Sequence, residues 1–498
     1  MNSSTPYKRL EERFRRLSLI GDALSFLHWD WATVMPAGGA GGRSDQFAAL
    51  EAIQHAILTD AETGDLLAAA EDEDGLDTWQ AANLGEMRRA RDHAAALPGD
   101  LVEAQVKAGA ACETAWRQAR PRDDFRAVKA PLSRVLELVR QAAAAKAEKL
   151  DLPPYDALLD QYEPAARSAD IDRLFGELEE FLPGFLGEVL ERQAAQTRPL
   201  TPEGPFPVEQ QRALGVRLME VLGFDFAHGR LDVSHHPFCG GTPEDLRITT
   251  RYEEGDFSSS LMAILHETGH ALYDRGLPAR WRGQPVGEAR GMSIHESQSL
   301  LIEMQVCRGA DFLAFAAPLM AEAFAGSGPA WTAENLTRLN TRVAPGHIRI
   351  DADEVTYPAH VILRYGLEKA MVLGGLEVGD LPGAWNDGME RLLGLRPPTD
   401  GEGCLQDIHW FEGIFGYFPS YTLGAASAAQ IFAAAKLGDP TIAPAIGQGD
   451  FAPLLGWLGD NIHAKASLLS TRDLLKEATG RPLALDAFKA HLKARYLA

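Results

Sequence analysis

His266, Glu267 and His270 stand in the order H-E-x-x-H. On a helix the first and fifth positions share one face, so both imidazoles can turn a nitrogen to one Zn²⁺ while Glu267 addresses a water on that metal. Chance alone gives such a match roughly 0.03 times in a chain of this composition. A catalytic zinc keeps three protein ligands and one open position, so a third ligand must come from elsewhere. A third histidine six residues beyond the second would fall at 276, where the chain has Gly276. A carboxylate on a following helix remains, and the stretch Gly291–Glu303 offers Glu296, 26 residues after His270. On spacing alone Glu288, His295 and Glu303 compete with it. Asp274, one turn after His270, is either an acceptor that orients an imidazole or a solvated carboxylate near the helix end.

The elements that must hold these residues follow from the flanking sequence. Ser258, Ser259 and Ser260 are N-cap candidates and Gly276 a C-cap candidate, which predicts a helix of about four turns around the motif. Up to about residue 225 apolar residues recur at three- and four-residue spacing, as in Ile171, Leu174, Phe175, Leu178, Phe181 and Leu182. That periodicity predicts helices. Pro36–Gly42, Pro98–Gly99 and Thr197–Pro207 punctuate them as loops. Between about 229 and 257 the texture shifts to short alternating runs such as Leu231–Ser234 and Arg247–Tyr252, which predict a few short strands. Helical patterning then resumes, broken by turns near 373–383 and 401–403. With no repeat and no long linker, the economical reading is one mainly helical unit with a small sheet near the metal motif. Its parts are a helical flank over 1–225, the motif-bearing region over 226–425 and C-terminal helices over 426–498.

Composition narrows the function classes. The 498 residues carry 48 Lys+Arg against 70 Asp+Glu, a net charge of −22. Such an excess of acid opposes sequence-independent nucleic-acid binding and docking on anionic lipid. Four widely spaced cysteines form no C-x-x-C pair, which points to a reducing compartment rather than a disulfide framework. The N-terminal stretch lacks an apolar core behind its basic residues, and no run is long enough to span a bilayer. The expected setting is the cytoplasm.

Beyond the zinc motif the chain resembles the carboxypeptidase Taq family of metallocarboxypeptidases. It carries that family's HPF as His236-Pro237-Phe238, DXRXT as Asp245-Leu246-Arg247-Ile248-Thr249 and HES/GQ as His295-Glu296-Ser297-Gln298. IRXXAD stands as Ile348-Arg349-Ile350-Asp351-Ala352-Asp353, and GXXQDXHW as Gly403-Cys404-Leu405-Gln406-Asp407-Ile408-His409-Trp410. The start, Trp29-Asp30 through Met35-Pro36, is similar to the family's N-terminal region, so the resemblance covers essentially the whole chain. It implies a mainly helical, saddle-like unit with a deep central groove, similar to neurolysin and the angiotensin-converting enzyme, and a homodimer. It also implies that Glu296 is the third ligand, that the metal is Zn²⁺ with Co²⁺ as a possible substitute, and that the substrates are peptides with a free C-terminus.

Under that resemblance further residues acquire expected roles. Glu267 would move the water's proton to the leaving amine. His409 and Tyr421 are candidates for stabilising the oxyanion, with Tyr417 competing. Arg349, then Arg247, would hold the substrate carboxylate. The alternative for each is an ion pair with Asp351, Asp353 or Asp245. His236 is a substrate contact or a structural hydrogen-bonding residue beside Pro237, while Gln406 and Asp407 would brace the loop bearing His409. Two other readings stay open: an oligoendopeptidase or dipeptidyl carboxypeptidase on the same site, and a non-catalytic helical metal-binding protein.

Overall fold

The computed structural model describes residues 5–497. Helices dominate, and one three-stranded sheet lies in the middle of the chain, as the periodicity predicts. Contacts group the chain into two compact units, each assembled from three separated stretches. The first takes the chain up to Arg91, Arg198–Thr341 and Gly424–Leu483; the second takes Asp92–Thr197, Arg342–Leu423 and the chain from Ala484. Every segment of the sequence-based division contributes to both units.

In the first unit the sheet has the order β1 (Gly229–Val233), β3 (Asp245–Thr250), β2 (Phe238–Thr242). β1 runs parallel to β3 and β2 antiparallel to it, with Arg230 opposite Arg247 and Gly240 opposite Arg247 in the two registers. The helix carrying the metal motif, Phe257–Gly276, is fixed on two sides. Ile264 and Ala271, seven residues apart and so on one stripe, pack with Leu231, Leu246 and Ile248 of the sheet. Leu261, Leu265 and Tyr273 enter a large helical core with Phe206, Ile294 and Ile431. Fully burying each such side chain contributes on the order of 1.5–3 kcal/mol. The stripe between these two apolar faces carries His266 and His270.

This helix starts one step before the serines. Asp256 is its N-cap, and its carboxylate accepts from the amides of Ser258 at 2.9 Å and Ser259 at 3.2 Å. A carboxylate outcompetes the serine hydroxyls because it also matches the positive end of the helix dipole. Gly276 does not cap the helix in a left-handed conformation; it closes the last turn, and a Cβ there would lie 2.5 Å from the His463 ring. The expected loop over Pro36–Gly42 is also corrected. Only Val34, Met35 and Pro36 separate the first helix from a short 3₁₀ turn, and Ala40–Thr59 is a helix that absorbs Gly41 and Gly42. Thr197–Pro207 falls between helices as expected, whereas Pro98 is the N-cap and Gly99 the first residue of the helix Gly99–Ala119, so that break lies at 96–98.

The second unit builds on the long helices Phe125–Leu150 and Ser168–Ala194 with Tyr357–Val372. The buried Glu368 accepts from Tyr155 Oη at 2.5 Å, Trp410 Nε1 at 3.0 Å and the Gly416 amide at 3.1 Å. Three donors on one carboxylate hold the segment around His409 against this scaffold. The C-terminal helix Asp486–Tyr496 is tied down in the same unit, where Glu354 receives His491 at 2.8 Å, Arg495 at 3.1 Å and Tyr496 Oη at 3.1 Å.

Candidate active site

His266, His270 and Glu296 form the group of metal-ligating side chains found among the described residues, with their donor atoms all within 4.8 Å of one another. Glu296 lies on the helix Gly291–Leu300, which packs against the motif helix. Ligands about 2.1 Å from a tetrahedral zinc are roughly 3.4 Å apart. Here Glu296 Oε2 lies 3.4 Å from His270 Nε2 and 3.8 Å from His266 Nε2. Both imidazoles therefore turn Nε2 toward one carboxylate oxygen and leave Nδ1 for support.

That support is specific. His266 Nδ1 lies 2.9 Å from Glu303 Oε2, and Arg308 donates to the other oxygen of Glu303 through Nη2 at 2.7 Å and Nε at 3.1 Å. Glu303 sits on Leu301–Cys307, a π-helical turn that directly continues the Glu296 helix. A widened turn of this kind re-aims side chains beside functional sites. On the other side, His270 Nδ1 lies 2.6 Å from His295 Nδ1, and His295 Nε2 lies 3.0 Å from Asp274 Oδ1. Asp274 does orient an imidazole, but that of His295. Of the competing ligands from the sequence, Glu303 and His295 thus stand behind the two histidines rather than beside Glu296.

The electrostatics suit a cation. Burial disfavours a charged His266, yet Glu303, Glu296 and Glu267 outweigh it and raise this imidazole to about 10. Glu303 itself is held down to about 2, because Arg308 and His266 overcome the burial that would raise it. A set of two imidazole nitrogens and one carboxylate oxygen, half-buried and with further carboxylates around it, is donor chemistry that suits zinc. Glu267 is 7% exposed and makes no hydrogen bond among the described residues, so its carboxylate is available to a water.

Two glycines that the sequence does not mark as functional make this arrangement possible. A Cβ on Gly269 would lie 2.6 Å from both Gln298 O and Ser299 Cα, so glycine lets the two ligand-bearing helices touch backbone to backbone. A Cβ on Gly424 would lie 2.8 Å from Glu296 Cγ and 3.2 Å from Ser293 O. Only the regular absence of side chains facing a ligand helix could have signalled them, and that requires the fold.

The remaining predicted residues divide between the units. In the first, Arg247 gives Asp245 a bidentate pair at 2.6 Å through both Nε and Nη2, and its guanidinium carbon lies 4.6 Å from the Trp29 ring centre. His236 is exposed just before β2, and its carbonyl accepts from Ser234 Oγ at 2.5 Å.

In the second unit, Arg349 pairs with Asp407, not with the neighbouring Asp351 or Asp353. Nη2 and Nε reach Asp407 Oδ1 at 2.7 and 3.1 Å, and Nη1 reaches Tyr357 Oη at 3.0 Å. Arg364, absent from the sequence reading, meets the other oxygen of Asp407 at 2.5 Å. One carboxylate thus serves two buried guanidiniums. Its pKa falls far below the carboxylate range because the two cations overcome its burial. His409 Nε2 lies 3.2 Å from Tyr421 Oη, and the Arg349 guanidinium carbon lies 4.8 Å from the Tyr421 ring centre. Burial, reinforced by Arg349 and Arg364, pushes His409 down to about 4, so at neutral pH it is an uncharged imidazole with one N–H. Tyr417 lies near this pair, with its ring centre 5.3 Å from that of Tyr421. Gln406 binds the Arg349 amide at 2.8 Å and the His347 carbonyl at 3.0 Å, bracing the loop as expected.

This geometry agrees with the comparisons to known proteins. Residues 9–496 match the model of the carboxypeptidase Taq (M32) metallopeptidase family. Thermostable carboxypeptidase 1 of Thermus thermophilus is 38% identical, over all of this chain and 99% of that protein. Among solved structures, Trypanosoma cruzi metallocarboxypeptidase 1 is 41% identical with a TM-score of 0.97 over the whole of both chains. The M32 carboxypeptidase of Deinococcus radiodurans is 35% identical with a TM-score of 0.93, over 99% of this chain and 98% of that one. A two-histidine, one-glutamate metal cradle, on a helical fold matched from end to end by metallocarboxypeptidases, places the chain in the carboxypeptidase Taq (M32) family of peptide-hydrolysing metallopeptidases.

Proposed function

We propose that the protein is a zinc carboxypeptidase that releases single amino acids from the free C-terminus of peptides. The cradle of His266, His270 and Glu296 carries this reading, since its separations and charge suit Zn²⁺, with Co²⁺ as a substitute. Zinc, when bound, supplies a Lewis acid and a water acidic enough to ionise near neutral pH. Glu267 accepts the proton of the attacking water at its carboxylate and returns it to the nitrogen of the departing amino acid. Glu303 and His295 keep Nε2 of each ligand histidine facing inward by occupying Nδ1.

The neutral His409 and the Tyr421 hydroxyl supply donors for the oxyanion that develops as water adds to the scissile carbonyl. Arg349 holds the substrate carboxylate. Three of its five N–H groups are taken by Asp407 and Tyr357, leaving one on each Nη without an acceptor among the described residues. The cluster of Arg349, Arg364 and Asp407 also retains one positive charge, which suits an anionic partner. Arg247 is the second candidate, although its fork already grips Asp245, and His236 completes the proposed substrate contacts. The proposal extends to a cytoplasmic homodimer, supported by four free cysteines and by the resemblance alone for the dimer. Sedimentation of the purified protein reads the subunit number.

Glu267→Gln separates this reading from a non-catalytic metal-binding protein. An enzyme variant keeps stoichiometric metal and loses turnover by at least about a hundredfold. Unchanged turnover contradicts the assignment of Glu267.

A further inference from the structure

The second unit contains a cavity of about 280 Å³ to which the proposed reaction assigns no step. Val135, Leu138, Val139 and Phe415 form an apolar wall, and facing the same space are the polar side chains of Gln105, Gln161, Tyr162 and Lys146. This lysine is 5% exposed. Its Nζ makes one hydrogen bond, to Gln161 Oε1 at 2.5 Å, and no ion pair among the described residues. Asp160 acts on it through space, but that carboxylate is already engaged by His93 Nε2 at 3.0 Å and the Ala165 amide at 2.8 Å. Glu412, an exposed residue, also lines the cavity.

A buried ammonium that lacks a counter-ion is costly, and a lysine in an apolar setting is almost always paired. An ammonium has three donors, and a single amide oxygen leaves two without an acceptor. Burial accordingly lowers Lys146 to about 8, against the weaker pull of Asp160. Near neutral pH the amine is still mostly protonated, so the cavity holds a cation with spare donors beside an apolar wall. Small-ligand sites combine these two parts, an apolar wall and convergent polar groups that fix orientation.

We propose that this cavity binds a small apolar monocarboxylate, with the carboxylate on Lys146 and Gln161 side-chain donors and the hydrocarbon chain against Leu138, Val139 and Phe415. The carboxylate supplies the missing counter-ion, and the chain displaces water from a wall that cannot bond it. A neutral isostere supplies the second gain without the first, so discrimination between acid and amide is the signature of the site.

The test is a calorimetric titration of the metal-loaded protein with 4-methylpentanoate and with 4-methylpentanamide. The site predicts saturable binding of the acid, at least about tenfold weaker binding of the amide, and loss of the acid site in Lys146→Met. A titration in which wild type and Lys146→Met bind the acid equally, or in which wild type binds none, overturns the proposal. Because a carboxylate can also reach the metal centre, a second measurement reads Lys146 directly. Acetic anhydride labelling of the wild-type protein, mapped by mass spectrometry, should fall several-fold at Lys146 with the acid but not the amide, while the exposed Lys107 serves as the internal reference. Equal labelling of Lys146 with and without the acid counts against the site even if Lys146→Met fails to fold.

Discussion

Glu303 Oε2 stands 2.9 Å from His266 Nδ1, and this carboxylate is itself clamped by Arg308. The metal-facing nitrogen of His266 is therefore set by a residue 37 positions away, on the π-helical turn that follows the Glu296 helix. Replacing Glu303 with Gln keeps the size and removes the charge. The expected result is a 10- to 100-fold loss of metal affinity with the fold retained, roughly what such supporting residues contribute elsewhere. Competition with a chromophoric chelator, alongside circular dichroism, measures both.

Gly269 and Gly424 make a paired prediction. Gly269→Ala sets a Cβ against backbone on the Glu296 helix and should cost on the order of 1–3 kcal/mol, seen as a lower Tm. Gly424→Ala meets mainly the Glu296 side chain, so it should lower metal affinity more than stability. If both variants lose stability equally and neither loses metal, the glycines serve packing alone.

Glu354 gives an acid-stability prediction with a defined sign. Its burial raises the carboxyl, but His491 and Arg495, with the Tyr496 hydrogen bond, overcome this and hold it down to about 2 against an ordinary 4.5. A depressed carboxyl contributes stability that is full above its unfolded value and is lost as pH falls through the folded one. The C-terminal helix should therefore loosen progressively between about pH 4.5 and pH 2. Hydrogen exchange across Asp486–Tyr496 should show that loss in the wild type. Glu354→Gln should show it already at neutral pH and without pH dependence in this window.

How much of this the sequence reveals depends on the range of the interaction. The H-E-x-x-H spacing defines its own helix and two ligands, because a helix makes positions four apart neighbours. Glu296 is legible as one of several carboxylates on a following helix, and motif resemblance singles it out. The roles of Glu303 and His295 are not legible. Both are ligand-type residues near the right spacing, and only the π-helical turn and the packing of the two helices decide that they support the imidazoles. Arg349 is found through its motif, yet its partner is Asp407, 58 positions on, rather than an acid beside it, and Arg364 carries no local signal at all. Caps are misplaced for a simpler reason. Asp256 and three serines all qualify by type, and the backbone chooses the carboxylate.

Asp407 also yields a prediction about the cluster proposed to hold the substrate carboxylate. Asp407→Asn leaves two buried guanidiniums without their shared anion, which should destabilise the protein by about 3–5 kcal/mol. A high concentration of a simple carboxylate such as acetate should restore part of that stability in the variant and little in the wild type. Thermal melts with and without acetate decide the point, and an equal shift in both proteins removes Asp407 from this role.

The most direct measurement uses one peptide in two forms, with a free C-terminal carboxylate and with a C-terminal amide, incubated with zinc-loaded protein and followed by mass spectrometry. Stepwise loss of single C-terminal residues from the free acid is predicted, with the amide nearly untouched, the discrimination erased in Arg349→Ala, and all turnover stopped by a chelator. Equal cleavage of both forms, release of dipeptides or internal cuts would contradict the assignment.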